Sequence, residues 1–167
     1  ENGSVVSYSV EEVGSVTGYK LSSTTKSGNT ITLTNTMDTT SVKVHKNWDD
    51  GNDVDGIRPT SINVTLKATI PDTSGDKDVT SNVGLGGVAG TKSLSGTDWN
   101  AQWNNLPIYY DNKKITYSAS ETGLPTGYEL VSNTNVDNTI TITNKHISTT
   151  TQLSVIKKWD DNNNKYN

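Results

Sequence analysis

Two stretches of this chain are versions of one another. YSVEEVGSVTGYKL begins at Tyr8 and YSASETGLPTGYEL at Tyr117, a shift of 117 − 8 = 109 residues. ITLTNT from Ile31 and ITITNK from Ile140 keep that shift, and KNWDD from Lys46 and KKWDD from Lys157 lie 157 − 46 = 111 apart. Self-similarity at one period means a repeated structural unit, here of about 110 residues, the size of a domain. The 167 residues divide into the end of one copy (residues 1–37), a whole copy (39–146) and the start of a third (150–167). The chain reads as a window on a tandem array, out of phase with its domains. Residues 57–109 occur once, so the two end pieces cannot together rebuild a second domain. They are fragments, or they complete their folds with neighbouring chains; adjacent repeats of the same array are the expected partners. The joints TMDTTS (Thr36–Ser41) and KHISTTTQ (Lys145–Gln152) are short, polar and free of glycine, which predicts an extended, modestly flexible array.

The unit is expected to be all-β. Only 30% of the chain is hydrophobic, Thr, Ser and Asn abound, and no long apolar stripe of period 3.6 is present. A net charge of −4 with a single arginine, Arg58, gives no electrostatic footprint for nucleic acid or an anionic membrane. No apolar run approaches the roughly 20 residues of a membrane span, so no membrane insertion is expected. With no cysteine, disulfides and thiolate zinc sites are excluded. If the protein is extracellular, something else staples it.

Side chains alternate faces along a strand, so parity sorts each strand. Val42, Val44, Lys46 and Trp48 share a face, as do Leu153, Val155, Lys157 and Trp159 in the partial copy. Ile140, Ile142 and Asn144 share another, echoed by Ile31, Leu33 and Asn35. Ile115, Tyr117, Ala119 and Glu121 share a third, echoed by Val6, Tyr8, Val10 and Glu12. The core of each repeat thus carries one Lys, one Asn and one Glu, each from a different strand. A lone buried ion costs several kcal/mol, so the three groups are expected to meet. They then form a buried salt bridge with a hydrogen-bonded amide, they turn outward at strand ends, or they react. Burial favours the neutral forms of both lysine and glutamate, and a neutral amine is a nucleophile. Glu121 is placed to polarise the Asn144 carbonyl and shuttle protons from Lys46 to the departing ammonia, leaving a Lys–Asn isopeptide bond. Folding supplies the proximity, and no cofactor is required.

KNWDDGNDVDGIRPTSINVTL, then NLPIYYDNKKITYSASETGLPTGYEL, then ITITNK resembles the CnaB-type domain, the B-repeat of the collagen adhesin and of many Gram-positive surface proteins and pilins. The features in common are Lys two residues before Trp, the RP-SI step at Arg58–Ile62, NLP before a Y…E strand, Gly-Tyr, and a final TN. The resemblance implies a β-sandwich of the reverse immunoglobulin type with about seven strands. It further implies a bond from Lys46 to Asn144 catalysed by Glu121, with Glu12, Asn35 and Lys157 as the equivalent positions of the partial copies. The implied role is a stalk or fibre repeat of a cell-wall-anchored, extracellular adhesin that crosslinks itself once and is no enzyme otherwise; the alternative is a repeat that itself binds host matrix or carbohydrate through loops, with the host ligand unknown.

Other features carry less. GLGGVAG (Gly84–Gly90) lacks the strand and helix of a phosphate loop. DDGNDVDG (Asp49–Gly56) reads as an acidic solvated turn before a weak cation site, and no metal is assigned. LPTG at Leu124 reads as a turn, His45 and His146 are expected exposed, and Trp99 and Trp103 are expected to share a core face of one strand.

Overall fold

The computed structural model describes residue 3 and residues 5–160; residues 161–167, in the start of the third copy, lie outside the described residues. Two four-stranded sheets pack face to face. The first has the order β11 (Tyr128–Val136), β12 (Thr139–His146), β3 (Thr39–Asp49), β7 (Asn100–Pro107). The second is built on β4 (Ser61–Ile70), which pairs β10 (Thr116–Thr122) on one edge and β6 (Thr91–Ser95) and the short β5 (Lys77–Asp78) on the other. Two small hairpins stand beside them: β1 (Tyr19–Ser27) with β2 (Thr30–Met37), and β8 (Tyr109–Tyr110) with β9 (Lys113–Lys114). The expected sandwich of about seven strands is β3, β4, β6, β7, β10, β11 and β12.

Burial follows parity. Val42, Val44 and Lys46 of β3 are buried between exposed neighbours, and Ile62, Val64, Leu66, Ala68 and Ile70 of β4, Tyr117 and Ala119 of β10, and Ile140, Ile142 and Asn144 of β12 are buried between exposed or half-buried ones. These rows interdigitate as one core, with Leu94, Trp99 and Trp103 filling the β6–β7 side. Trp99 corrects one expectation: it is a core residue but stands just ahead of β7 with φ +47°, because the chain turns there, and its carbonyl accepts the Lys46 N–H at 2.9 Å.

Three features position the polar residues of the core. β12 runs parallel to its neighbour β3, with Ile142 opposite Lys46 and Asn144 opposite Trp48, so both rows face the core at the same height. β10 belongs to the opposite sheet, with Glu121 beside Val64 of β4. The open side between β10 and β11 is stitched by side chains: Asn133 Nδ2 donates to the Ala119 carbonyl at 2.8 Å and Asn135 Nδ2 to that of Tyr117 at 3.0 Å. A bulge between Leu130 and Ser132 then shifts the register of β11 against β12.

The β1–β2 hairpin repeats β11–β12 down to its bulge, between Leu21 and Ser23. One residue, Asp38, separates β2 from β3, and its N–H donates to Gly18 O at 2.7 Å just as Ile147 donates to Gly127 O at 2.8 Å. By contrast the stretch from Val6 to Glu12 and residues 151–160 take no strand, and Val6, Tyr8, Leu153 and Val155 are exposed. A strand needs a hydrogen-bonded neighbour, and only one copy of the residues forming β4, β6 and β7 is present in the chain.

Candidate functional site

Lys46 and Asn144 enter the core from adjacent strands of one sheet and Glu121 from the facing one. Lys46 is 1% exposed and Asn144 0%. The Glu121 side chain is 7% exposed, and its Oε2 lies 3.7 Å from Lys46 Nζ. The same Oε2 accepts a hydrogen bond from Asn144 Nδ2 at 2.8 Å, and Lys46 Nζ also donates to Asn47 O at 3.2 Å. Two oxygens of the group, Glu121 Oε1 and Asn144 Oδ1, are buried without a partner. Burial holds the Lys46 amine down at about 8, against the pull of the Glu121 and Asp50 carboxylates toward the charged form. At pH 7 that raises the neutral, nucleophilic fraction over an ordinary lysine by roughly two orders of magnitude. Amine and amide converge on one oxygen of the Glu121 carboxyl, with the Lys46 and Asn144 side chains buried.

An aromatic wall fixes the amine. Lys46 Nζ sits 4.3 Å from the Trp48 ring centroid, and Trp48 meets Trp99 and Tyr128 edge-on at 5.1 and 4.9 Å. Behind it lies a polar node. The Asp50 carboxylate, its side chain 2% exposed, receives Arg58 Nε at 2.8 Å, Arg58 Nη2, the Tyr128 hydroxyl at 3.0 Å and the Asp53 N–H at 3.0 Å. The Arg58 guanidinium, first among these donors, holds the Asp50 carboxyl down at about 2, while burial and the Asp50 bond push Tyr128 up to about 12.

Residues 42–145 match the family model of the Cna protein B-type domain, well over half of the chain. The chain belongs to the Cna B-type domain family. It is 35% identical over 165 residues to a collagen adhesin of Staphylococcus aureus, covering 97% of this chain and only 12% of that protein. Among solved structures it is similar to a single B repeat unit of the collagen-binding surface protein Cna of S. aureus, with TM-score 0.52 and 28% identity over 80% of this chain and 63% of that one. Two joined B repeat units of the same protein align with TM-score 0.52 and 31% identity over 79% of this chain and 31% of theirs.

Within this B-type domain Lys46, Glu121 and Asn144 are brought together. In the partial copies the equivalents meet by halves: Asn35 Nδ2 donates to Glu12 Oε1 at 3.0 Å in the open, and Lys157 Nζ lies 3.5 Å from the Trp159 ring centroid. Two expectations are corrected. The Asp49–Gly56 turn is not simply solvated, since Asp50 is buried by the Arg58 guanidinium, and His146 is only 10% exposed because it pairs with Asp55 at 3.1 Å and packs on Tyr128. Among the described residues no cluster of three or more His, Cys, Asp or Glu could hold a metal ion, and no helix is long and apolar enough to cross a membrane.

The Asp50 node predicts a pH window. As pH falls, the unfolded Asp50 carboxyl takes its proton near 3.8 and the folded one only near 2, so the unfolded state binds more protons in between. The node's contribution is complete above about pH 4 and disappears as pH falls toward 2, a change of roughly 2 kcal/mol. Urea-unfolding free energies measured across that range should fall in the parent and fall less steeply in Asp50→Asn; parallel curves would refute the assignment.

Proposed function

We propose that this chain is a structural repeat of a Gram-positive surface adhesin, with residues 39–146 as one complete domain that ties itself closed by a Lys46–Asn144 isopeptide bond. The observation that carries the proposal is the convergence of a buried amine and a buried amide on the Glu121 carboxyl. In the reaction the neutral Lys46 Nζ attacks Asn144 Cγ, a C–N bond forms, Nδ2 leaves as ammonia, and Glu121 carries the proton from the attacking to the departing nitrogen. Polarising the carbonyl puts Oδ1 of Asn144 opposite a protonated Glu121, which a half-turn of the observed amide achieves; both Oδ1 and Oε1 are free for it. Nothing is oxidised or reduced, and the group reacts once, so the domain is not a turnover enzyme. The chain spans about an eighth of the length of the collagen adhesin it matches. Collagen binding therefore stays with that protein, and the role proposed here is the stalk, extracellular and held to the wall elsewhere in the molecule. Residues 1–37 and 150–167 belong to flanking repeats, and Asn35 and Lys157 to bonds with partners in those repeats.

The test is the intact mass of the denatured protein. The parent should be lighter than its sequence by one ammonia, and Glu121→Ala and Lys46→Ala should have their full masses. A parent at full mass would reduce the cluster to a buried polar network.

A further inference from the structure

The stitching between β10 and β11 stops one step short of Glu121. Asn135 and Asn133 cap the outward carbonyls of Tyr117 and Ala119, and at the next place along β10, that of Glu121, the facing strand bulges away at Leu130–Ser132. An opening of about 260 Å³ remains there, lined by Ser120, Glu121, Leu124, Leu130, Asn133 and Ile142. It is below the roughly 300–1,000 Å³ of sites that take drug-sized ligands. It has room for several molecules the size of water, each of about 30 Å³. Glu121 borders both spaces: Oε2 holds Lys46 and Asn144, and Oε1 is buried with no partner. The other walls are apolar or neutral, with no second charged group among them.

We propose that this opening is the passage by which ammonia leaves the reacting centre and by which a small primary amine can reach Asn144. The inference rests on the isopeptide reading. Exchanging one amide for another has little driving force of its own. Ammonia kept beside the new bond would attack it at high effective molarity and restore Asn144. Escape to water makes the step one-way. Neutral ammonia passes an apolar mouth that an ammonium ion would enter only at a desolvation cost. The break in the asparagine stitching is thus placed where a leaving group needs it.

Taking away the lysine turns the passage into an entry. In Lys46→Ala the Glu121–Asn144 pair remains and the space of the amine is empty, so methylamine at alkaline pH should enter, attack Asn144 Cγ and expel ammonia. Asn144 would gain one methylene, located by peptide mapping, and Lys46→Ala/Glu121→Gln would stay unlabelled. Covering the mouth with Leu130→Trp, a change at a half-exposed position, should slow labelling of Lys46→Ala about tenfold, while Leu130→Ala should not slow it. Circular dichroism of each variant establishes that it is folded. Absent labelling in folded Lys46→Ala, or equal rates with Trp and Ala at position 130, would overturn the passage. If the parent has lost ammonia in the same experiment, the isopeptide reading survives that result; if it has not, both fall.

Discussion

Glu121→Gln should melt roughly 15–40 °C below the parent. The proposed bond would close a loop of 144 − 46 = 98 residues, and on the chain-entropy model such a closure stabilises by about 4–5 kcal/mol. For a domain of about 100 residues each kcal/mol moves the midpoint by about 4–8 °C. Glutamine keeps the shape of the side chain and removes the proton carrier, so the drop combines the missing bond with the loss of the carboxylate beside the buried Lys46 amine. Lys46→Met approaches the same question from the other partner, because it removes the bond and the buried amine at similar volume and keeps Glu121. If both variants fall by comparable amounts in calorimetric scans, the covalent tie is the cause. A Glu121→Gln midpoint within a few degrees of the parent would sink the proposal that the tie stabilises the domain.

Arg58→Ala is the second large effect, and it acts through a different mechanism. Without the guanidinium, the Asp50 carboxylate remains in a position where its side chain is 2% exposed, with the Tyr128 hydroxyl and the Asp53 N–H as its remaining partners. Removing one member of a buried pair costs about 3–5 kcal/mol, because the other charge stays behind without compensation. The Arg58 side chain is itself only 21% exposed and lies near the face of Trp48, so packing on the wall that holds Lys46 is lost as well. Denaturant midpoints should fall by a corresponding amount with an unchanged slope. Arg58→Lys should recover little of the loss, since an ammonium cannot repeat the two-pronged contact with Oδ1 and Oδ2. A loss below about 1 kcal/mol would class the contact with surface ion pairs.

The part of this protein most open to reading from sequence is the part governed by alternation. Strand parity puts Lys46, Asn144 and Glu121 on core faces, because each shares the parity of an apolar row, and only an outward turn at the strand end could take it elsewhere; the structure places all three in the core. Parity is silent about loops. Asp50 and Arg58 are eight residues apart in a turn whose composition looks solvated, and nothing in local spacing says that the chain folds back to bury one against the other. Asp50 lies beside Trp48, and a carboxylate next to a core strand with one arginine in the whole chain is the available signal. Trp99 departs from its expected strand for a related reason: spacing of four fits a strand, but a residue at φ +47° interrupts the alternation on which that spacing depends. The end pieces show the converse limit. Val6, Tyr8 and Val10 alternate as well as any strand here, yet alternation without a neighbouring strand leaves them exposed.

The parallel pairing of β3 with β12 sets how the domain stands under tension. Chain enters at Thr39 and leaves at His146, and because the two strands run side by side in the same direction, these points lie at opposite poles of the sandwich. Pulling on them slides β3 and β12 past each other, so the hydrogen bonds of their ladder are loaded together in shear instead of opening one at a time. The proposed crossbar sits near the exit pole, where Lys46 and Asn144 lie; strain would run up the first strand, across the two joined side chains and out, and leave residues 47–143 slack. Each domain then adds close to the length of its first strand, 11 residues at about 3.3 Å each or roughly 35 Å. On the proposed stalk reading, copy number would set how far the array stands off the surface.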